Sequence, residues 1–184
     1  MADSLPVQPD RTPSETASAG SVTPHDLFMR HFWPLYPEVV RADLNSARKT
    51  DANPGKNPSF GEHMAEAAAV FVGRSQVLFG DDLGLDYSDA SVHRLSHALT
   101  RSRRNSWSNQ GEPGTPENTL FNVIVHGAAY VGTCIVKSYA AEWAIRAPLW
   151  ESLVELESPL GRSQLAVFHW WLKALADEAV DGDT

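Results

Sequence analysis

The sequence predicts an α+β fold: a helix-rich single domain with a central buried helix and a small antiparallel sheet near residues 142–157. Three observations predict it. The stretch NVIVHGAAYVGTCIVKSYAAEW, residues 122–143, is apolar nearly all round, as an enclosed helix is. Two alternating runs follow it, as half-buried strands do. Flanking segments repeat apolar residues at the spacing of one helix face.

Taken in order, residues 1–23 are rich in Pro, Ser, Thr and Ala and poor in large apolar groups. Such a segment buries too little surface to offset its ordering entropy, so a disordered tail is expected. Residues 24–180 then form the globular domain. Thr23 is placed to cap a first helix with Pro24 as its first residue. Leu27, Phe28, His31 and Phe32 share its face. Pro34 and Pro37 break the run. A short helix is expected over residues 38–49, and DANPGKNPS, residues 51–59, reads as a loop.

Residues 60–80 read as a helix, with Met64, Ala67, Ala68, Phe71, Val72 and Leu78 near one stripe and Gly80 as its stop. Ser88 caps the next helix, edged by Val92, Leu95 and Leu99. Residues 105–118 are a polar loop by composition. Thr115 and Pro116 then suit the cap and first position of the central helix, which runs to about Tyr139.

That central helix is short for a membrane span, and Asn122, His126 and Thr133 interrupt its apolar surface. It is no phosphate loop either. Gly127 and Gly132 lie within the helix, with no following Lys-Ser/Thr and no G-x-G. Ala128 and Gly132, four apart, are expected to admit another backbone closely. Next, Trp143, Ile145 and Ala147 alternate with Glu142, Ala144 and Arg146. Trp150, Val154 and Leu156 alternate with Glu151, Glu155 and Glu157, giving a hairpin joined near Pro148. A final amphipathic helix is expected from Pro159 onward, with frayed last residues.

The chain has 184 residues, a net charge of -8, 42% hydrophobic and 21% charged residues, so a core can form without staples. The acidic balance argues against general nucleic-acid binding, which needs clustered Lys and Arg. A single cysteine, Cys134, permits no intrachain disulfide, which fits a cytoplasmic protein. No basic start or apolar h-region marks a secretory signal.

Leu85, Asp86, Tyr87, Ser88, Ser91 and Val92 form an L-D-[YF]-S-x-x-S-[LV] helix start. Gly127 or Ala128, then Tyr130, Val131 and Gly132, lead to Trp143 as a G-x-Y-[LV]-G helix before a tryptophan-bearing strand. This order resembles a loose group of uncharacterised bacterial α+β domains over residues 60–157. Members often carry an acidic residue where this chain has Thr133. The resemblance implies a bacterial α+β domain. Some members look like toxin-neighbourhood immunity proteins.

Few constellations suggest chemistry. His93 and His97, four apart on a helix, have the spacing by which two imidazoles share a metal, and Glu62 and His63 could supply further ligands. No H-E-x-x-H or C-x-x-C accompanies them, and the bland reading is a solvated helix face. His126 and His169 read as hydrogen-bonded core histidines, and acid–base work becomes arguable if they meet near Glu142 or Asp86. Cys134 reads as an inert buried thiol. Arg101, Arg103, Arg104 and Trp107 form the one basic run that holds an aromatic residue, and with Trp150 they are the expected partner-contact residues. Six tryptophans are many for this length: either all six are core, or one exposed beside Trp107 or Trp150 marks a contact surface. Trp170 and Trp171 point about 100° apart on one helix, so only one can enter a narrow core.

The expectation is therefore a non-enzymatic domain that binds a partner protein, as an immunity or regulatory protein does, with no cofactor and no catalytic residue assigned. The alternative is a metal-binding or hydrolytic enzyme using histidines.

Overall fold

The structure, a computed structural model, describes residues 21–177 and residue 179. Of the expected tail at residues 1–23, residues 1–20 lie outside them, as do the last residues of the chain. Val22, inside the expected tail, is tied to the end of the domain. Val22 exchanges backbone hydrogen bonds with Asp177, donating to Oδ2 at 2.7 Å and accepting from its N–H at 2.9 Å.

Eight α-helices and three strands follow. Thr23 caps α1 (Pro24–His31) through a capping box with Asp26, as the sequence predicts. Two short helices, α2 (Glu38–Ala42) and α3 (Leu44–Lys49), lead into the loop. Helix α4 (Ser59–Phe79) buries Met64, Ala68, Phe71, Ser75 and Phe79 along one stripe and stops at Gly80, which is left-handed with φ 77°. Ser88 caps α5 (Asp89–Ala98) by accepting from Ser91 N–H.

The first difference from the sequence reading follows. Thr100 accepts from Arg103 N–H and starts a separate helix, α6 (Arg101–Ser108), inside the segment read partly as loop. The second concerns α7 (Thr119–Ser138), which is capped by Asn118, not Thr115. The fully buried Asn118 side chain accepts from Phe121 N–H and donates to Ser108 and Gly111 carbonyls, so one residue closes the loop and opens the helix.

Helix α7 packs against α4, α6 and α5 and, through its second half, against β1 (Ala141–Ala144). By length and composition it would pass for a membrane span, yet most of it is buried inside the protein. The sheet has three strands in the order β1-β2-β3, all antiparallel. Strand β2 (Leu153–Ser158) pairs with β1 as expected. The third strand, β3 (Gly161–Leu165), replaces the first turns of the expected terminal helix, which shortens to α8 (Val167–Ala174). Gly161 at φ 132° permits the β2–β3 turn that redirects the chain.

The two glycines of α7 admit indole rings, not a backbone. A Cβ on Gly127 would lie 2.6 Å from Trp171 Nε1, and one on Gly132 would lie 2.1 Å from Trp143 Cη2. Trp171 is buried there and donates to Val123 O at 3.1 Å, while Trp170 is 54% exposed, as the 100° offset requires. Tyr87, Ser91, Tyr130, Gly132 and Trp143 join α5, α7 and β1. Tyr130 Oη lies 2.5 Å from Ser91 Oγ and accepts from Tyr87 N–H at 3.2 Å, tying α5 to α7, while Gly132 seats Trp143 of β1.

Candidate functional site

A cleft of about 540 Å³ opens along the free edge of β1. The register explains why that edge matters. Glu157 N–H donates to Ala140 O, and the ladder pairs Glu142 with Glu155 and Ala144 with Leu153. In an antiparallel pair, alternate residues exchange hydrogen bonds with the neighbour and the others point away from it. Ala141, Trp143 and Ile145 therefore direct N–H and C=O away from β2 and into the cleft. Ala52 of the α3–α4 loop takes up one of these groups, donating to Ile145 O at 3.0 Å. The chain then turns away through Asn53, whose side chain accepts from Asn57 N–H and donates to Asn57 O. No hydrogen bond among the described residues reaches the outward groups of Ala141 and Trp143.

Small residues keep the space beside this edge open. Gly61 and Ala65 line it from α4, and Thr133, Val136 and Lys137 line it from one face of α7. Thr133 is buried, and its Oγ1 has no hydrogen-bond partner. The rim mixes charges. Arg146 donates to Arg48 O at 3.1 Å and lies 3.9 Å from Asp51, while Lys137 Nζ sits 3.5 Å over the Tyr87 ring centre. Glu142 and Glu155 face one another across β1 and β2, and Gln164 donates to Glu155 at 2.6 Å.

A second feature centres on a carboxylate that the sequence reading placed on a wet strand face. Glu151 lies in a 3-10 turn before β2 and is buried. Its Oε1 accepts from the Tyr36 hydroxyl, and its Oε2 accepts from Arg48 Nε at 2.9 Å, with His169 Nε2 at 3.5 Å. Trp150 Nε1 donates to the same Tyr36 oxygen at 2.9 Å. Burial opposes ionisation of Glu151, but the hydrogen bonds from His169, Arg48 and Tyr36 outweigh it and hold the carboxyl at about 2. Burial, then the Glu151 contact, pushes the Tyr36 phenol upward.

The sequence-derived candidates are placed as follows. Arg104 and Trp107 are only 2% and 4% exposed, so they offer no contact surface. Arg104 donates to Leu175 O and to Asp177, and Trp107 packs edge-on against Phe79. Arg103 donates to the carbonyls of Ala98 and Phe79, closing the ends of α5 and α4. Arg101 lies 3.2 Å from Asp177. Trp150 is half-buried in the Glu151 network, away from that run. His93 and His97 are exposed on α5, and His93 lies 3.5 Å from Asp89. Among the described residues no group of three His, Cys, Asp or Glu side chains comes together as a metal-ligand set. His126 bonds Asn122 O at 2.9 Å and does not meet His169. Cys134 is buried, which pushes its thiol up to about 11.

Sequence reasoning missed the Glu151–His169 contact because the residues lie 18 apart across a strand that was not foreseen. It missed the open edge because an edge is a property of sheet order. No family model, no curated protein and no solved structure matches the chain.

Proposed function

We propose that the protein is a non-enzymatic interaction domain that captures an extended segment of a partner protein along the free edge of β1. One observation carries this reading: the outward N–H and C=O groups of Ala141 and Trp143 line a cleft and have no hydrogen-bond partner among the described residues, while the chain's own Ala52 pairs with the neighbouring Ile145. A strand added to such an edge gains main-chain hydrogen bonds, and pockets beside it select side chains. The other free edge, β3, is exposed and carries Arg162, features that discourage pairing. The space left open by Gly61 and Ala65 admits bulky side chains of the incoming segment. A bacterial cytoplasmic setting, and immunity or regulation as the biological outcome, belong to this same proposal. It is preferred to the histidine-based enzyme because the open β1 edge supports it directly, whereas His93 and His97 stand exposed on the surface of α5.

The test uses heptapeptides selected against the protein from a random display library and then titrated as synthetic peptides. Replacing Ala141 by Pro removes an outward N–H while leaving the β1–β2 ladder intact, as edge strands allow. Binding is expected to fall at least tenfold in Ala141→Pro, with the melting temperature within a few degrees of the parent. N-methylation of alternate peptide amides is expected to abolish binding. Undiminished binding to folded Ala141→Pro would refute strand addition.

A further inference from the structure

We infer that a second cleft, between α1, α3 and α8, binds a small anionic ligand with an apolar body. It is independent of the β1 edge and encloses about 470 Å³ above the Glu151 network. On a chain of net charge -8, its lining is unusual in composition. Arg48, Lys173, His25 and His169 face it, and among the described residues no Asp or Glu lines it. Asp26 lies beside it on α1, capping that helix with Thr23, and Glu151 is buried beneath and fully engaged.

Arg48 is what makes the cleft selective. Its Nε is committed to Glu151 at 2.9 Å, which fixes the guanidinium in the wall. Its Nη1 and Nη2 make no hydrogen bond among the described residues, and its side chain is 35% exposed. A planar fork held by one nitrogen and open at the other two is arranged for a carboxylate or phosphate. Lys173 supplies a second cation on the opposite wall, from α8. The apolar part of the lining comes from Phe28, Trp33 and Leu172. Phe28 stacks at a tilt against Trp33, Tyr36 and His169, with ring centres 6.4, 5.8 and 6.2 Å apart, and Arg48 lies 5.8 Å over its face. Aromatic faces next to fixed cations suit a flat or apolar body that ends in an anion. The three-way satisfaction of Glu151 has a role in this reading. Without that carboxylate, Arg48 would swing to solvent, and the site would lose its orientation.

The probes are phenyl phosphate, phenylacetate and inorganic phosphate, each titrated into the full chain at low salt while the Trp33 indole N–H is followed by NMR. For ligands of this size a dissociation constant of about 1 mM is expected for the better of the two aromatic anions. Inorganic phosphate is expected to bind at least threefold more weakly, since it lacks the apolar body. Tighter phenyl phosphate identifies a phosphate-bearing ligand, and tighter phenylacetate a carboxylate-bearing one. Two variants separate binding from folding. Arg48→Lys keeps a cation beside Glu151 but removes the two open nitrogens, and is expected to weaken binding about tenfold. Lys173→Met lies outside the network and is expected to weaken it about threefold with an unchanged melting temperature. The inference is overturned if neither aromatic anion shifts Trp33 saturably at millimolar concentration. It is equally overturned if both variants, shown to be folded, bind as the parent does.

Discussion

Gly132→Ala is expected to destabilise the protein by about 2–3 kcal/mol, against the ordinary gain of replacing a helical glycine. The new methyl would lie 2.1 Å from Cη2 and 2.3 Å from Cζ2 of Trp143, atoms of a rigid ring held between α7 and β1. Either α7 and β1 separate or the indole leaves its seat, and both disturb the strand that walls the larger cleft. Gly73→Ala is the control. It sits in α4 with nothing within 4 Å of an added Cβ, so it is expected to be stabilising by up to about 1 kcal/mol. Trp143→Leu in the Gly132→Ala background should recover part of the loss, because the clash is shared by the two residues. Chemical denaturation of the four proteins measures all of this. Equal effects of the two Gly→Ala changes would contradict the packing described.

Glu151→Ala is expected to cost about 3–5 kcal/mol, since it leaves Arg48, Tyr36 and His169 without their shared acceptor in a buried site. Its protonation should act in the same direction. The folded carboxyl is held at about 2, below its ordinary 4.5, so the stability it contributes is full above pH 4.5 and is lost as pH falls toward 2. A separate acid-sensitive group lies in α1. His31 is fully buried, Ser108 Oγ is 3.5 Å from its Nε2, and burial, helped by Arg30, lowers its pKa to about 4 from 6.5. The unfolded chain binds that proton first, so stability falls between pH 6.5 and 4 on its account. Denaturation midpoints measured from pH 7 to 2.5 should decline in two windows. Glu151→Ala should shrink the lower window, to which the hydrogen-bonded Asp26, Asp43, Asp86 and Asp177 also contribute, and leave the upper one.

Much of the architecture was legible in the sequence because it rests on local patterns. Ser88, Gly80 and the Thr23–Pro24 pair marked real helix boundaries, and the period of α4 named its buried face. The calls that failed depended on partners distant in the chain. Thr115 and Asn118 are both acceptable caps, and Asn118 wins because its amide also reaches Ser108 and Gly111. Strand β3 has little apolar pattern of its own, being exposed over most of its length, and is specified by pairing with β2. Gly132 was read correctly as a site of close approach, but nothing local says that the approaching group is an indole. The arginine run looked like surface, yet Arg104 is buried because Asp177 and the Leu175 carbonyl receive it. For the candidate sites, Trp150 was singled out as a contact residue and turns out to serve the Glu151 network through Tyr36.

Amide hydrogen exchange along residues 141–145 tests the open edge most directly. If β1 is free on its outer side, Glu142 and Ala144 N–H groups exchange slowly, and those of Ala141 and Trp143 exchange far faster, giving a two-residue alternation. Addition of a selected heptapeptide should then slow the fast pair and leave the slow pair unchanged. Uniform protection across these residues in the isolated protein would mean that the edge is already covered, and the proposed capture of a partner strand would fall with it.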